Sequence, residues 1–170
     1  GICDAVAPSL LLCDGACVPL QDLTGMNDES SDCQSCPSGR YSTVVASSSL
    51  GDCIDCVAGK YVEETGSALE SNCTRCAAGK YSPVVGSTLE SNCIDCFVGK
   101  YIDVPGSDSS EDCIDCVAGK YVEVTGSFLE SNCTMCESGT FSSVVGSTLA
   151  RNCIECGVGK YIDVPGSNST

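Results

Sequence analysis

The sequence predicts a small disulfide-rich fold, mainly loops with short β-strands, in which 20-residue units form an elongated linear array, a rod or solenoid. Cysteine supplies 17 of the 170 residues, a share typical of folds held together by disulfides. The pattern CxxC recurs with a constant 20-residue period, as in repeat proteins whose units contact mainly their neighbours. Because the chain has no tryptophan and only 5% aromatic residues, it lacks the side chains for one conventional core.

Residues 1–32 precede the repeats, and we interpret them as a cysteine-containing cap or docking segment. The stretch VAPSLLLC lacks the basic start of a signal peptide and follows Asp4, so we assign it to the mature protein. Its SLLL run is the candidate anchor to a neighbouring chain, because the rest of the surface is expected to be polar.

Residues 33–170 contain seven tandem repeats, the last of them incomplete. Each repeat reads CxxCxxG, then an aromatic residue two positions later, then a small-Ser pair. The aromatic residues are Tyr41, Tyr61, Tyr81, Tyr101, Tyr121, Phe141 and Tyr161. We expect these rings to form a spine in which each packs on the disulfide or ring of the next unit.

Local patterns within each repeat predict its secondary structure. Lys-Tyr-Val-Glu-Val and Lys-Tyr-Ile-Asp-Val alternate apolar and polar residues, as a short strand does. The glycine after CxxC predicts a turn with positive φ, and Pro105-Gly106 and Pro165-Gly166 predict further turns. Helical structure is limited to single turns at SALESN, STLESN and SFLESN.

A second, 60-residue period is superimposed on the first. Residues 53–110 and 113–170 are identical at 44 of 58 aligned positions. Three kinds of repeat therefore alternate, marked by YVE(E/V)TGS, YS(P/S)VVGS and YIDVPGS. We interpret the 60-residue supra-repeat as three different faces presented in rotation, which suits a filament or lattice better than a single active site.

Charge and hydropathy exclude several partners. The formal net charge is −15, with only eight Lys and Arg, whereas nucleic-acid binding needs a concentrated basic face. The acidic residues are dispersed, as on a solvated surface. No apolar run approaches the roughly 18 to 20 residues that span a bilayer, so we expect no membrane contact by this segment.

The motif CxxCxxGxYxxxxGS, followed by the next cysteine, resembles the ephrin-receptor-like cysteine-rich repeat, a relative of the modules of growth-factor and tumour-necrosis-factor receptors. The resemblance covers residues 33–170, and long tandem copies resemble those of protist and algal surface or appendage proteins. It implies that the second cysteine of each CxxC pairs with the first cysteine of the next. The implied disulfides are Cys36–Cys53, Cys56–Cys73, Cys76–Cys93, Cys96–Cys113, Cys116–Cys133 and Cys136–Cys153.

Five cysteines remain outside these six pairs. Cys3, Cys13, Cys17 and Cys33 can form two bridges in the N-terminal segment. Cys156 is left without a partner, which the same spacing would place 17 positions on, beyond Thr170. The odd count therefore leads us to expect that the array continues.

The CxxC pattern also has uses other than structural disulfides. Paired CxxC knuckles can bind zinc, but seven knuckles would leave one over, and four-thiolate sites would favour a period of 40. A thioredoxin-like redox motif occurs once in its protein, on a βαβ pattern, whereas in this chain CxxC is repeated without such a pattern. The carboxylates of Asp55, Asp95, Asp115 and Glu155 could bind calcium together with Asp103 or carbonyl oxygens. We expect structural disulfides, no metal and no cofactor.

The residues needed for enzymatic catalysis are scarce. The chain has no histidine, which removes Ser-His and Cys-His activation of a nucleophile. Glu63 and Glu64 are adjacent on an expected strand and would point to opposite faces, so they make a poor acid and base pair. We therefore expect no enzymatic activity.

Three sequons, Asn72-Cys-Thr, Asn132-Cys-Thr and Asn168-Ser-Thr, predict N-glycosylation at Asn72, Asn132 and Asn168. The first two occupy the same place in the supra-repeat, so their glycans would lie on one side of a rod.

Together these features predict an extracellular or cell-surface structural protein that self-associates into a polymer or with neighbouring fibre subunits. The alternative is a receptor or adhesin ectodomain that binds a protein or glycan ligand.

Overall fold

The computed structural model describes residues 10–13, 16–19, 34–45 and 47–169. The bridges predicted among Cys3, Cys13, Cys17 and Cys33 lie outside the residues whose side chains are described. In the N-terminal segment, strands β1 (Leu10–Cys13) and β2 (Ala16–Pro19) form an antiparallel hairpin.

Each repeat junction carries a small antiparallel hairpin. Its first strand is the Lys-Tyr pair or its equivalent, and its second is the dipeptide inside the next CxxC. The first strands are β3 (Arg40–Tyr41), β5 (Lys60–Tyr61), β7 (Lys80–Tyr81), β9 (Lys100–Tyr101), β11 (Lys120–Tyr121) and β13 (Thr140–Phe141). The second strands are β4 (Ile54–Asp55), β6 (Thr74–Arg75), β8 (Ile94–Asp95), β10 (Ile114–Asp115), β12 (Thr134–Met135) and β14 (Ile154–Glu155).

These strands are shorter than the predicted Lys-Tyr-Val-Glu-Val stretches because their backbone groups have two sets of partners. Tyr61 forms an antiparallel pair with Thr74 and also a parallel bridge with Ser87. The next N–H, that of Val62, donates to the carbonyl oxygen of Ser87 at 3.1 Å. The segment after Tyr61 is thus bonded to the following repeat.

The single helical turns predicted at the LESN segments are confirmed as short 3-10 helices. The same element occurs in each of the six complete repeats, at Leu50–Asp52, Glu70–Asn72, Glu90–Asn92, Ser110–Asp112, Glu130–Asn132 and Ala150–Asn152. The turns predicted at Pro105-Gly106 and Pro165-Gly166 are also confirmed. Gly106 has φ 86°, the left-handed conformation that follows proline in a type II turn.

The core consists of small clusters at the repeat junctions. The ring of Tyr41 packs against Cys56 and Val62 of the next repeat and against Cys73, the disulfide partner of Cys56. The same arrangement recurs where Tyr81 meets Cys96, Ile102 and Cys113, and where Tyr101 meets Cys116, Val122 and Cys133. The predicted spine, in which each tyrosine packs on the disulfide of the next unit, is confirmed at these three junctions.

The structure confirms the predicted fold class, a disulfide-rich array of short hairpins with a 20-residue period. Among the described residues, no helix has the length and apolar character needed to cross a membrane.

Candidate functional site: the junctions between repeats

Six disulfides link successive repeats, and each joins the second cysteine of one CxxC to the first cysteine of the next. The bonded pairs are Cys36–Cys53, Cys56–Cys73, Cys76–Cys93, Cys96–Cys113, Cys116–Cys133 and Cys136–Cys153. These are the same pairs that the family resemblance implies. Each closes a loop with a sequence separation of 17, worth about 3 kcal/mol in the chain-entropy treatment.

This pairing bears directly on the zinc and redox alternatives. Cys53 and Cys56 share one CxxC but belong to different disulfides. Neither a zinc knuckle nor a thioredoxin-like bridge within the motif is compatible with that connectivity. Among the described cysteines, Cys156 alone is free, and it is half-buried.

Backbone hydrogen bonds join each repeat to the next at three places. Gly39 N–H donates to Val62 O at 2.8 Å, and Ser42 N–H donates to Ser67 O at 3.0 Å. In the opposite direction, Gly66 N–H donates to Cys36 O at 2.8 Å. The same three bonds recur at the following junctions, so docking depends mainly on backbone groups that every repeat possesses.

Contacts also reach the second repeat along the chain. The glycine after each of the first five CxxC motifs lies directly against the turn of the repeat after next: a Cβ at Gly79 would overlap Gly126 O and lie 2.8 Å from its carbonyl carbon. Gly79 is therefore required both for its φ of 88° and for this close approach. Three consecutive repeats meet at each such point.

The carboxylates considered for calcium mostly face cations instead. Asp55 pairs with Arg40 across the hairpin at 2.6 Å. Asp95 pairs in the same way with Lys80, at 3.0 Å, and Asp115 with Lys100, at 2.8 Å. Glu155 stands opposite Thr140.

Asp103 lies elsewhere, beside an open depression of about 350 Å³ that Asp108 and Asp112 also line. Within the described residues, no group of three or more His, Cys, Asp or Glu side chains could hold a metal ion. The structure therefore does not bring Asp103 together with the four carboxylates above as a metal-ion site.

The 60-residue period is visible in these ion pairs. Where the residue opposite the lysine is not acidic, the lysine bonds to the 3-10 helix instead. Lys60 stands opposite Arg75 and pairs with Glu70 at 3.0 Å. Lys120 stands opposite Met135 and pairs with Glu130 at 3.1 Å. The two copies of the supra-repeat thus make the same exchange of partners.

Glu63 has a structural role that the sequence analysis missed. Its Oε1 accepts a hydrogen bond from Glu90 N–H at 3.1 Å, at the start of the 3-10 helix of the next repeat. Glu123, the matching residue in the second copy of the supra-repeat, accepts from Ala150 N–H at 2.9 Å. The recurrence of glutamate at these two positions was the available signal.

Serine replaces the aliphatic core residue in one kind of repeat. The position is the one directly after the aromatic residue of the repeat. It is Val62 or Ile102 in the other two kinds of repeat, and in this kind it is Ser82, which is fully buried. The hydroxyl of Ser82 lies 3.3 Å from that of Ser87, and Ser142 and Ser147 repeat the contact at 3.1 Å. The hydroxyl pair satisfies two buried polar groups and distinguishes this kind of repeat in its core.

Two of the three sequon asparagines also cap 3-10 helices. Oδ1 of Asn72 accepts from Leu69 N–H at 3.0 Å, and Oδ1 of Asn132 accepts from Leu129 N–H at 2.9 Å. Asn72 is exposed and Asn132 is half-buried. Asn168 is exposed near the end of the described residues, and its sequon includes Thr170, which lies outside them.

The pKa of one tyrosine, Tyr61, is raised. Desolvation is the main factor that raises the pKa of Tyr61 above its usual value of 10.0, and the negative charges of Glu90 and Glu63 add to it. All these causes disfavour the phenolate.

Comparisons with known proteins do not assign this chain to a family. No family model matches the chain, and a search of curated proteins finds no match.

Proposed function

We propose that this chain is part of an extracellular structural protein, a rigid disulfide-linked rod that serves as a subunit or segment of a filament or appendage. The observation that carries this proposal is that each of the first five repeats contacts the next two repeats, for example through Gly79 and Gly126. Because every junction combines a disulfide with several backbone hydrogen bonds, bending at one junction would break contacts at its neighbours.

The disulfides support the proposed location. The six described disulfides follow one another without a gap from Cys36 to Cys153, one at every junction between repeats. Disulfides at this density persist in oxidising compartments such as the extracellular space. The resemblance to ephrin-receptor-like repeats of surface proteins points the same way.

The exposed side chains suit lateral contact between rods. Val84 and Val85 are exposed in one kind of repeat, and Val144 and Val145 take their places in the second copy of the supra-repeat. A surface that recurs once per supra-repeat can be matched by a parallel rod in register. We therefore infer self-association into a polymer or with neighbouring fibre subunits, and no catalytic role.

A receptor or adhesin ectodomain is the second candidate, and two exposed aromatic side chains favour it. Phe97 is 66% and Phe128 is 51% exposed. Both break the supra-repeat, since Gly157 and Ala68 stand at the matching positions. Exposed aromatic residues are enriched where proteins bind partners.

The state of association distinguishes the two candidates. For the rod we expect static light scattering and electron microscopy of the secreted full chain to show fibres or lateral bundles. Deleting residues 1–20, which carry the proposed SLLL anchor, should abolish assembly and leave the hairpin repeats folded. A chain that stays monomeric at high concentration, and still binds a glycan or protein ligand, would favour the ectodomain.

A matched control separates lateral contact from anchoring. Replacing all four valines, by Val84→Thr, Val85→Thr, Val144→Thr and Val145→Thr, removes this apolar surface from both copies of the supra-repeat and leaves residues 1–20 intact. If lateral contact depends on these valines, bundles should be replaced by single thin fibres. Unchanged bundles in this variant would remove the lateral role of that surface.

A further inference from the structure

We propose that Asn72 and Asn132 accept N-linked glycans, and that they do so only before the adjacent disulfides, Cys56–Cys73 and Cys116–Cys133, have closed. Both steps depend on the extracellular location proposed above, because the transferase and the oxidising machinery belong to the secretory route. The filament itself is not required.

The finished fold can carry the glycan at these positions. Each asparagine uses its Oδ1 to accept the capping N–H, at 3.0 Å for Asn72 and 2.9 Å for Asn132. Among the described residues, neither Nδ2 makes a hydrogen bond. The sugar is attached to Nδ2, so the cap survives modification.

The folded segment is nevertheless a poor substrate. A transferase that reads Asn-x-Thr must bind the asparagine and the threonine together in its own site, so the segment has to be free to leave the fold. In the structure, Asn72 N–H donates to Leu69 O and Cys73 N–H donates to Glu70 O, both at 3.0 Å. Thr74 is paired with Tyr61 in the hairpin. All three residues of the sequon are therefore fixed by the fold.

The middle residue of the sequon connects this constraint to the disulfide. Cys73 is 5% exposed and bonded to Cys56, and Cys133 is 4% exposed and bonded to Cys116. Release of the segment would expose a half-cystine and break the hairpin. Because the disulfide holds the two ends of the loop together, closure makes that release costly.

Glycan transfer needs a lipid-linked sugar donor, and disulfide closure needs an oxidant. In glycan transfer, a bond forms between Nδ2 and the anomeric carbon of a lipid-linked diphosphate sugar. The bond from that carbon to the diphosphate oxygen breaks, and the Nδ2 proton passes to a base of the transferase. In closure, the thiols of Cys56 and Cys73 lose two electrons and two protons to a disulfide oxidant.

The chain contains its own matched controls. Asn92 has the same cap, with Oδ1 accepting from Leu89 N–H at 3.1 Å, and the same buried cysteine after it, but Ile94 replaces the threonine. Asn168 has a sequon whose middle residue is Ser169, so disulfide closure should not affect it.

The test gives the unglycosylated full chain to an oligosaccharyltransferase with a lipid-linked sugar donor, and measures occupancy at each asparagine by peptide mass spectrometry. In the oxidised chain we expect modification at Asn168 and at least tenfold less at Asn72 and Asn132. In the reduced and alkylated chain all three should be modified. Oxidised Cys56→Ser should gain modification at Asn72 but not at Asn132, and reduced Ile94→Thr should gain it at Asn92.

Two results would overturn the proposal in different ways. Equal modification of Asn72 in the oxidised and reduced chains would remove the order of events. An unmodified Asn72 in a reduced chain whose Asn168 is modified would remove the site itself. Neither readout depends on assembly, so failure of the filament proposal appears separately, in light scattering.

Discussion

Tyr81 and Tyr161 occupy the same position in two repeats but have very different surroundings. Tyr81 is 8% exposed, whereas Tyr161 is 85% exposed. Tyr81 bridges to Ser107 and packs with Cys96 and Cys113, all of which follow it in the chain. No described residue takes these places at Tyr161, and Lys160-Tyr161 forms no strand.

This difference shows that a repeat does not contain its own core. The cysteines, the glycines and the aromatic residue of each unit are present in both repeats, but burial comes from the two units that follow. The gradient is visible in the glycines: Gly119 is buried, Gly139 is half-buried and Gly159 is exposed. Stability in such arrays comes largely from the interfaces between neighbouring repeats.

The sharpest test of this comparison places the same substitution at two glycines with almost the same backbone. Gly79 has φ 88° and Gly139 has φ 85°, so an alanine is strained at both. At Gly79 the new Cβ would also overlap Gly126 O, whereas nothing lies within 4 Å at Gly139. We expect Gly79→Ala to lower the free energy of unfolding by at least about 3 kcal/mol, against about 1–2 kcal/mol for Gly139→Ala.

Guanidinium denaturation of the oxidised chain, monitored by tyrosine fluorescence, measures both variants. Hydrogen exchange is then compared at Gly126 N–H, which lies at the contact altered by Gly79→Ala, and at Gly146 N–H, which lies at a different contact. Faster exchange at Gly126 alone would show that the loss of stability is local. Equal losses in the two variants would mean that the contact between second neighbours contributes little.

A smaller effect is expected at the glutamates of the second repeat. Glu63 accepts a hydrogen bond from Glu90 N–H in the next repeat, while its neighbour Glu64 has Val124 at the matching position of the other supra-repeat copy. Since Glu63 is exposed, Glu63→Ala should cost only about 0.5–1 kcal/mol. Glu64→Ala, compared by the same denaturation experiment, should change the stability by less than half of that.

The smallest expected effect is a dependence of stability on alkaline pH. The pKa of Tyr61 is raised in the folded chain, mainly by desolvation and then by Glu90 and Glu63. Between the unfolded and folded pKa values the folded state binds more protons, so stability is full below about pH 10 and falls as pH rises above it. Tyr61→Phe should flatten this fall, which thermal unfolding between pH 9 and 11 would detect; an unchanged slope would contradict the assignment.

Much of the architecture is predictable because the repeat is so regular. The period of 20, the turns at Pro105-Gly106 and Pro165-Gly166, and the single helical turns follow from the spacing and chemistry of a few residues. The packing of each tyrosine on the next disulfide is also predictable. These features depend on local chain geometry or on first neighbours, which a periodic sequence displays directly.

The hydrogen-bond partners of polar side chains are harder to predict from the sequence. The recurrence of glutamate at positions 63 and 123 marks Glu63, but the sequence does not identify Glu90 N–H, 27 positions away, as its hydrogen-bond partner. Asn72 and Asn132 stand out in the sequence only as sequons, although Asn92 performs the same capping without one. A sequence gives the residue type at each position but not the unpaired N–H that folding brings beside it.

The amino-acid sequence by itself determined the unit, its disulfide-rich class and the glycines and prolines that reverse the chain, because these follow from covalent geometry and steric limits on φ. Only the tertiary structure decided that the dipeptide inside each CxxC from Cys53 onward is a strand, that lysines exchange partners once in each supra-repeat, and that a repeat is completed by the two repeats after it. Those features depend on which backbone groups meet across separate units, and that is fixed when the units pack together.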